Sequence, residues 1–288
     1  MQDTVQGFLK FLEAEKGYAD NTVAAYRNDL TQFVDYLQVK VAGDWSAVDQ
    51  DLIQRYIEYL KSQQYSSSTV ARKIAAMKSF SRYLMARGTL DSDPTAALDS
   101  PKVKKRLPKA ISVDQINQLL EVTNAGDSAK SLRDSAIIGL LYASGMRVTE
   151  LVSLDIDDID FEAGAIRVGS KKQRSKERLV PLNGEALNTL QAYVEQARPQ
   201  LLRVQDDPAL FLNHRGQRLT RQGSWLIIKR YVSEVGISAN VTPHTLRHSF
   251  AAHKLSLGQS LHDIQKLLGH ANISTTQVYT HLTQENAE

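Results

Sequence analysis

The sequence predicts a mainly α-helical chain with a small β-sheet: a helical N-terminal unit followed by a helix-rich α+β unit. Three observations carry this. Apolar residues in the first hundred positions recur at i, i+3, i+4, i+7 in four separate stretches. Around Pro94–Pro108 that period lapses between two prolines. Beyond it, two short β-type runs interrupt an otherwise helical pattern.

Val5, Phe8, Leu9 and Leu12 form the first stripe, and Val23, Tyr26, Leu30, Phe33, Val34 and Leu37 the second. Leu52, Ile53, Tyr56, Ile57 and Leu60 form the third, and Val70, Ile74, Met77, Phe80, Ser81 and Leu84 the fourth. Four such stripes bury one another in a compact helical unit, expected over residues 1–95. Asn21 and Ser68 are candidate N-caps, and Gly88 is a candidate stop. Residues 96–110 are expected to be a linker. A second unit, 111–288, opens at Ser112 with a helix and continues through the apolar run Leu132–Tyr142. GAIRVGS and ERLVPL flank KKQRSK and predict a hairpin with a basic turn. Helices are expected again over 185–202, 221–235, 244–257 and 262–268. The last one is expected near 274–281, where Ser274 and Gln277 fit a capping box.

Charge is uneven along the chain. Residues 1–100 carry 11 basic and 13 acidic side chains, and residues 111–288 carry 19 of each. The ten residues between them hold five bases and no acid. Lys102, Lys104, Lys105 and Arg106 thus concentrate the net charge of +3 in one proline-bounded segment. This is either a solvated linker or a contact for a polyanion such as nucleic acid. The absence of cysteine excludes disulfides and thiolate metal sites. No apolar run approaches the roughly 18 residues that span a bilayer, and the acidic N-terminal helix does not resemble a signal peptide. A cytoplasmic protein with no membrane association is the expectation.

Three segments could carry chemistry. In TPHTLRHSFAAH, Thr242 is a good N-cap and Pro243 suits the first helical position. His244 then lies in the first turn, where free amides and the helix dipole favour an anion, and Arg247 shares its face. A capped surface helix, a metal site and a phosphate cradle all remain open from this stretch alone. His244 and His248 have i, i+4 spacing, but Thr245 stands where an HExxH motif needs glutamate. In LYASGMRVTELVSL a helix ends at Ser144–Gly145 and Arg147 begins another, with Glu150 placed to hold its guanidinium. In LLGHANISTTQVYTH, His270 follows Gly269 in a turn and Tyr279 sits nine residues after that histidine.

Taken in order, Arg147, a lysine-bearing β-turn, H-x-x-R, G-H and the tyrosine resemble the tyrosine recombinase family over essentially the whole chain. The short spacing of LGHANISTTQVYTH most resembles its XerC/XerD-type members. The resemblance implies a SAM-like helical core-binding domain and a catalytic domain that close on DNA as a C-shaped clamp. It leaves no room ahead of the first helix for an arm-binding domain. It implies that Arg147 and Arg247 grip the scissile phosphate while His244 and His270 hydrogen-bond the phosphoryl centre or manage the nucleophile's proton. Tyr279 would attack phosphorus to give a 3′-phosphotyrosyl link, and a β-turn lysine would protonate the leaving 5′ oxygen. The family's usual turn, GKGxKER, is shorter than GSKKQRSKER here. Counting forward favours Lys171 over Lys172 for that role, with Lys176 and Arg178 left to contact DNA. No metal and no cofactor are implied.

The implied partners are a double-stranded dif-like site with inverted half-sites and a tetramer of this chain alone or with a paralogue. A DNA translocase is a further partner of this kind of enzyme. The C-terminal HLTQENAE would reach a neighbouring protomer, unless it is a frayed tail. Chromosome or plasmid dimer resolution is the implied role. The alternatives are a type IB topoisomerase-like enzyme, a mobile-element integrase and a non-catalytic DNA-binding protein. A metal-dependent nuclease is the weakest fit, because no carboxylate cluster lies near the histidines.

Overall fold

The computed structural model describes residues 1–18, 20–39, 44–99, 101, 109–170 and 173–280. The chain separates into two compact units, 1–105 and 106–288.

The first unit packs helices α1 (Gln2–Ala14), α2 (Asp20–Gln38), α3 (Gln50–Ser62) and α4 (Ser67–Ala86) around one apolar core. The four stripes face inward because each spans about three or four positions per two turns, the arc a helix can bury in a bundle. Phe8, Phe80 and Tyr83 meet there with ring centroids 5.2 Å apart in the Phe8–Phe80 and Phe8–Tyr83 pairs. One buried charge interrupts the core. Asp29 on α2 takes Lys73 Nζ at 2.9 Å and also pairs with Arg72. Periodicity placed Lys73 outside the stripe, and the carboxylate is what draws it in.

Three expectations here need correction. The N-cap of α4 is Ser66, not Ser68, with Ser66 Oγ accepting from Thr69 N. Three serines in a row offered equal local chemistry. Asn21 lies inside α2. The linker also begins later than residue 96: Leu98 is buried in the N-terminal core, and its carbonyl accepts from Lys78 Nζ at 2.7 Å.

In the second unit, Ser112 caps α5 (Val113–Asn124) through a complete capping box. Then come α6 (Ala129–Ser144) and the short α7 (Val148–Ser153). A three-stranded antiparallel sheet follows in the order β1 (Ile159–Asp160), β2 (Ala165–Ser170), β3 (Gln173–Pro181). Val168 pairs with Arg178, and the register then shifts so that Ser170 pairs with Gln173. The expected six-residue basic turn is therefore overturned. Strand β3 already runs from Gln173, so only Lys171 and Lys172 connect the strands.

Residues 185–202, expected as one helix, form α8 (Gly184–Ala192), a π-helical stretch (Tyr193–Ala197) and α9 (Arg198–Leu201). They are followed by α10 (Arg221–Val235), α11 (Pro243–Ser256) and α12 (Leu261–Leu268). The last predicted helix is instead two 3-10 turns, Ile273–Thr275 and Gln277–Tyr279. Asn272, not Ser274, caps the first of them, accepting from Ser274 N at 3.0 Å. The main core lies between α5, α6, the sheet and α8–α11. A smaller cluster of Phe250, Ala251, Ala252, Ile264, Leu268 and Tyr279 seats the 3-10 turns.

Candidate active site

Two helix C-termini and two helix N-termini build the site. Helix α6 ends at Gly145, whose φ of +59° is the left-handed conformation that glycine adopts without strain. The turn leaves Gly145 O pointing away from any helical partner. Arg247 Nη1 donates to that oxygen at 2.7 Å. Helix α12 ends at Gly269, again left-handed, and Arg247 Nη2 donates to Leu268 O at 2.8 Å. A buried guanidinium thus satisfies carbonyls that helix ends leave unpaired, with the favourable sign for the helix dipoles. Burial, then the neighbouring Arg147 charge, brings Arg247 down to about 10, so it stays cationic at neutral pH.

The same Nη2 lies 2.8 Å from His270 Nε2. Arginine can only donate, so Nε2 is the acceptor and the imidazole proton sits on Nδ1, 2.9 Å from Thr276 Oγ1. Burial and then the Arg247 charge push His270 down to about 4, which keeps this tautomer neutral.

Arg147 is the N-cap residue of α7. Its backbone N donates to Glu150 Oε2 at 2.6 Å, and its Nη1 donates to Oε1 at 3.1 Å. Its side chain remains 40% exposed, so this guanidinium is more open to a ligand than the buried one of Arg247. Its Nη2 lies 3.4 Å from Gly269 O, which brings it beside the His270 turn. Glu150 serves as expected, but it has a second partner. Arg178 on β3 grips it with Nη1 at 2.9 Å and Nη2 at 3.0 Å, and donates Nε to Leu267 O at 2.6 Å. Burial alone would raise Glu150, yet the Arg178 hydrogen bonds and the Arg178 and Arg147 charges hold it below the ordinary carboxylate range. Arg178 was expected to touch DNA. Its three donor groups face inward instead, tying β3 to α7 and α12.

His244 occupies the first turn of α11. Thr242 Oγ1 accepts from Thr245 N at 3.2 Å and caps that helix as the sequence predicts. Tyr279, in the second 3-10 turn, is only 2% exposed. Burial raises its phenol, while the Arg247 and Arg147 charges pull the other way.

The hydroxyl of Tyr279 lies 2.8 Å from Nδ1 of His248, a residue outside the set that the resemblance implies. The available signal was its i, i+4 relation to His244, whose ring centroid lies 6.4 Å away.

Arg147, His244, Arg247, His270 and Tyr279, spread over more than a hundred positions, therefore converge around α11. Lys171 and Lys172 lie outside the described residues, as do Lys102, Lys104, Lys105, Arg106 and the segment 281–288. Lys176 lies on β3, and its side chain is outside the described part. Among the described residues no three His, Asp or Glu side chains cluster as a metal-ligand set.

A helical unit followed by a catalytic unit, with two arginines, two histidines and a tyrosine meeting at helix ends, defines the class. Residues 5–88 match the phage integrase N-terminal SAM-like domain, and residues 109–286 match the phage integrase family. The chain belongs to the phage integrase family and is a tyrosine recombinase of the XerC/XerD type, an enzyme of site-specific recombination.

It is 49% identical over 287 residues to tyrosine recombinase XerC of Herpetosiphon aurantiacus, covering 100% of this chain and 93% of that protein. It is 43% identical over 286 residues to tyrosine recombinase XerD of Listeria monocytogenes, covering 99% and 95%. In fold it is similar to the XerH site-specific recombinase in a post-cleavage complex with a palindromic difH substrate. The TM-score there is 0.77 at 20% identity, over 99% of this chain and 83% of that one.

Proposed function

We propose that this chain cuts and rejoins duplex DNA by the transesterification that its site is built for. Arg147 and Arg247 hold the non-bridging oxygens of one phosphodiester, and His244 adds a donor at the α11 N-terminus. Tyr279 Oη attacks phosphorus, the 3′-phosphotyrosyl bond forms and the 5′ oxygen leaves. His270 is fixed as a neutral imidazole by Arg247 and Thr276, so its role is to orient rather than to carry charge. Lys171 is the proposed acid for the leaving oxygen, with Lys172 as its neighbour in reserve. Two guanidiniums and helix amides supply the positive charge that a metal supplies in other phosphoryl transfers. The ester energy is kept in the tyrosyl link, so rejoining needs no nucleotide.

The observation that carries this reading is the buried Tyr279 hydroxyl under the charge of Arg247, itself bonded to His270. The two units are proposed to clamp DNA between them as a C-shape, with Lys102, Lys104, Lys105 and Arg106 along the backbone. Lys176 would lie on a flanking phosphate. The substrate is proposed to be a dif-like site with inverted half-sites, bound by a tetramer of this chain or of this chain and a paralogue. Resolution of chromosome or plasmid dimers is the proposed role, with a DNA translocase as a further partner. Residues 281–288 are proposed to reach a neighbouring protomer.

The test is a nicked suicide substrate carrying such a site. The parent should give a covalent adduct that survives denaturant, and Tyr279→Phe should bind equally and give none. An adduct formed by Tyr279→Phe would refute the assignment. Lys171→Ala should be rescued when the 5′-bridging oxygen is replaced by sulfur, which leaves unprotonated. Rescue confined to Lys172→Ala would move the role by one residue.

A further inference from the structure

We infer that His248 is a catalytic residue, its Nδ1 accepting the phenolic proton of Tyr279 as the tyrosine attacks. The inference rests on the reading of Tyr279 as the nucleophile and assigns its base to His248 in place of His244 or His270.

Geometry brings the two groups within hydrogen-bond reach. Tyr279 Oη and His248 Nδ1 are 2.8 Å apart, with ring centroids 5.5 Å apart. The Arg247 and Arg147 charges favour the phenolate of Tyr279, so the phenol is the stronger donor of the pair and its proton goes to Nδ1. A neutral imidazole with its proton on Nε2 receives it. His270 cannot take this part, because both its ring nitrogens are engaged, with Arg247 and Thr276.

The charged and titratable groups acting on the pair are His244 and Arg247 on α11, Arg147 at the start of α7, and His270 after α12. Without an anion they disfavour a second cation. Burial, then His244 and Arg247, hold His248 down at about 4. A phosphodiester seated between the guanidiniums offsets the like-charge part of that depression. His248 thus becomes a stronger base when the scissile phosphate is in place.

The step balances. Tyr279 Oη bonds to phosphorus and the bond from phosphorus to the 5′ oxygen breaks. The phenolic proton passes to His248 Nδ1, while the 5′ oxygen takes a proton from the acid proposed as Lys171. In rejoining, the 5′ hydroxyl attacks, its proton returns to the lysine, and Tyr279 recovers its own from His248.

The test is single-turnover adduct formation on the suicide substrate between pH 6 and 9. His248→Asn keeps a hydrogen-bond acceptor near the Nδ1 position but is no base. It should bind the DNA with unchanged affinity and form adduct about 100-fold more slowly or worse at pH 7. Its rate should climb roughly tenfold per pH unit across that range, because burial raises the Tyr279 phenol above its ordinary value. The parent rate should be nearly flat over that range. A His248→Asn rate within about threefold of the parent overturns the proposal, as does a parent rate that itself climbs tenfold per unit. The parent profile decides even if His248→Asn fails to fold. Adduct formed by Tyr279→Phe would instead refute the nucleophile assignment, a separate failure.

Discussion

Replacing Arg178 with leucine removes three donor groups at once. Glu150 loses a two-pronged partner, and Leu267 O loses the donor Arg178 Nε. The Arg178 and Glu150 side chains are 13% and 14% exposed, so the pair belongs with buried ion pairs and not with surface ones. Removing one partner of a buried pair costs about 3–5 kcal/mol, because the remaining charge is left without compensation. For a unit of this size, each kcal/mol is worth about 2–4 °C in Tm, so a fall on the order of 10 °C is expected.

The effect has a pH signature. In the parent, Glu150 is held below its ordinary value, so its contribution is present above an unfolded pKa of about 4.3 and is lost as pH falls through the lower folded value. In Arg178→Leu the carboxyl, still buried but missing its main partner, moves upward and is neutralised at mild acidity. The deficit should therefore be largest at pH 7 and smaller at pH 4.5. Denaturant unfolding of parent and variant at the two pH values measures it. A deficit below about 1 kcal/mol at pH 7, or one equal at both pH values, would show that the pair is not the buried anchor described.

Three further outcomes are expected. Gly145→Ala places a Cβ 2.3 Å from Phe250 Cδ1 in a left-handed conformation, for about 2–5 kcal/mol of strain and overpacking combined. Adduct formation should fall with it, since Gly145 O positions Arg247; wild-type melting of this variant would contradict the turn geometry. Leu98→Ala should cost the N-terminal unit about 2–5 kcal/mol, measurable by denaturant unfolding of the full chain, whereas a linker residue would cost almost nothing. His248 and His270 both lie at about 4 when folded against about 6.5 unfolded, so the unfolded chain binds more protons between those values. Stability should fall as pH drops from 6.5 toward 4, and histidine NMR titrations that place both rings near 6.5 would contradict this.

The four N-terminal helices and most of those in the second unit were legible because burial imposes a 3.6-residue period on apolar residues. Leu98 was not, because a single leucine after Pro94 has no periodic neighbours to announce it. The final helix was misjudged because Ser274 and Gln277 satisfy a capping box locally. Tyr279 and Leu268, packed in the small core, instead fix the segment as two tight turns. At the site, Arg147, His244, Arg247, His270 and Tyr279 could be picked out by order and spacing. Arg178 and His248 could not be assigned that way. A guanidinium in a basic stretch looks the same whether it faces solvent or Glu150, and an imidazole shows no sign of which tyrosine, 31 positions away, it will meet.

The carbonyls gripped by Arg247 and Arg178 make helix length a catalytic parameter. Lengthening α12 by one residue would turn its last carbonyls by about 100° and advance them about 1.5 Å. Leu267 O and Leu268 O would then leave both guanidiniums, although every side chain named above survived. The site cannot be moved to another scaffold as a set of side chains, because part of its ligand set is the backbone at two helix ends. Variation in this enzyme should therefore tolerate substitution along α6 and α12 far better than a single insertion or deletion within them.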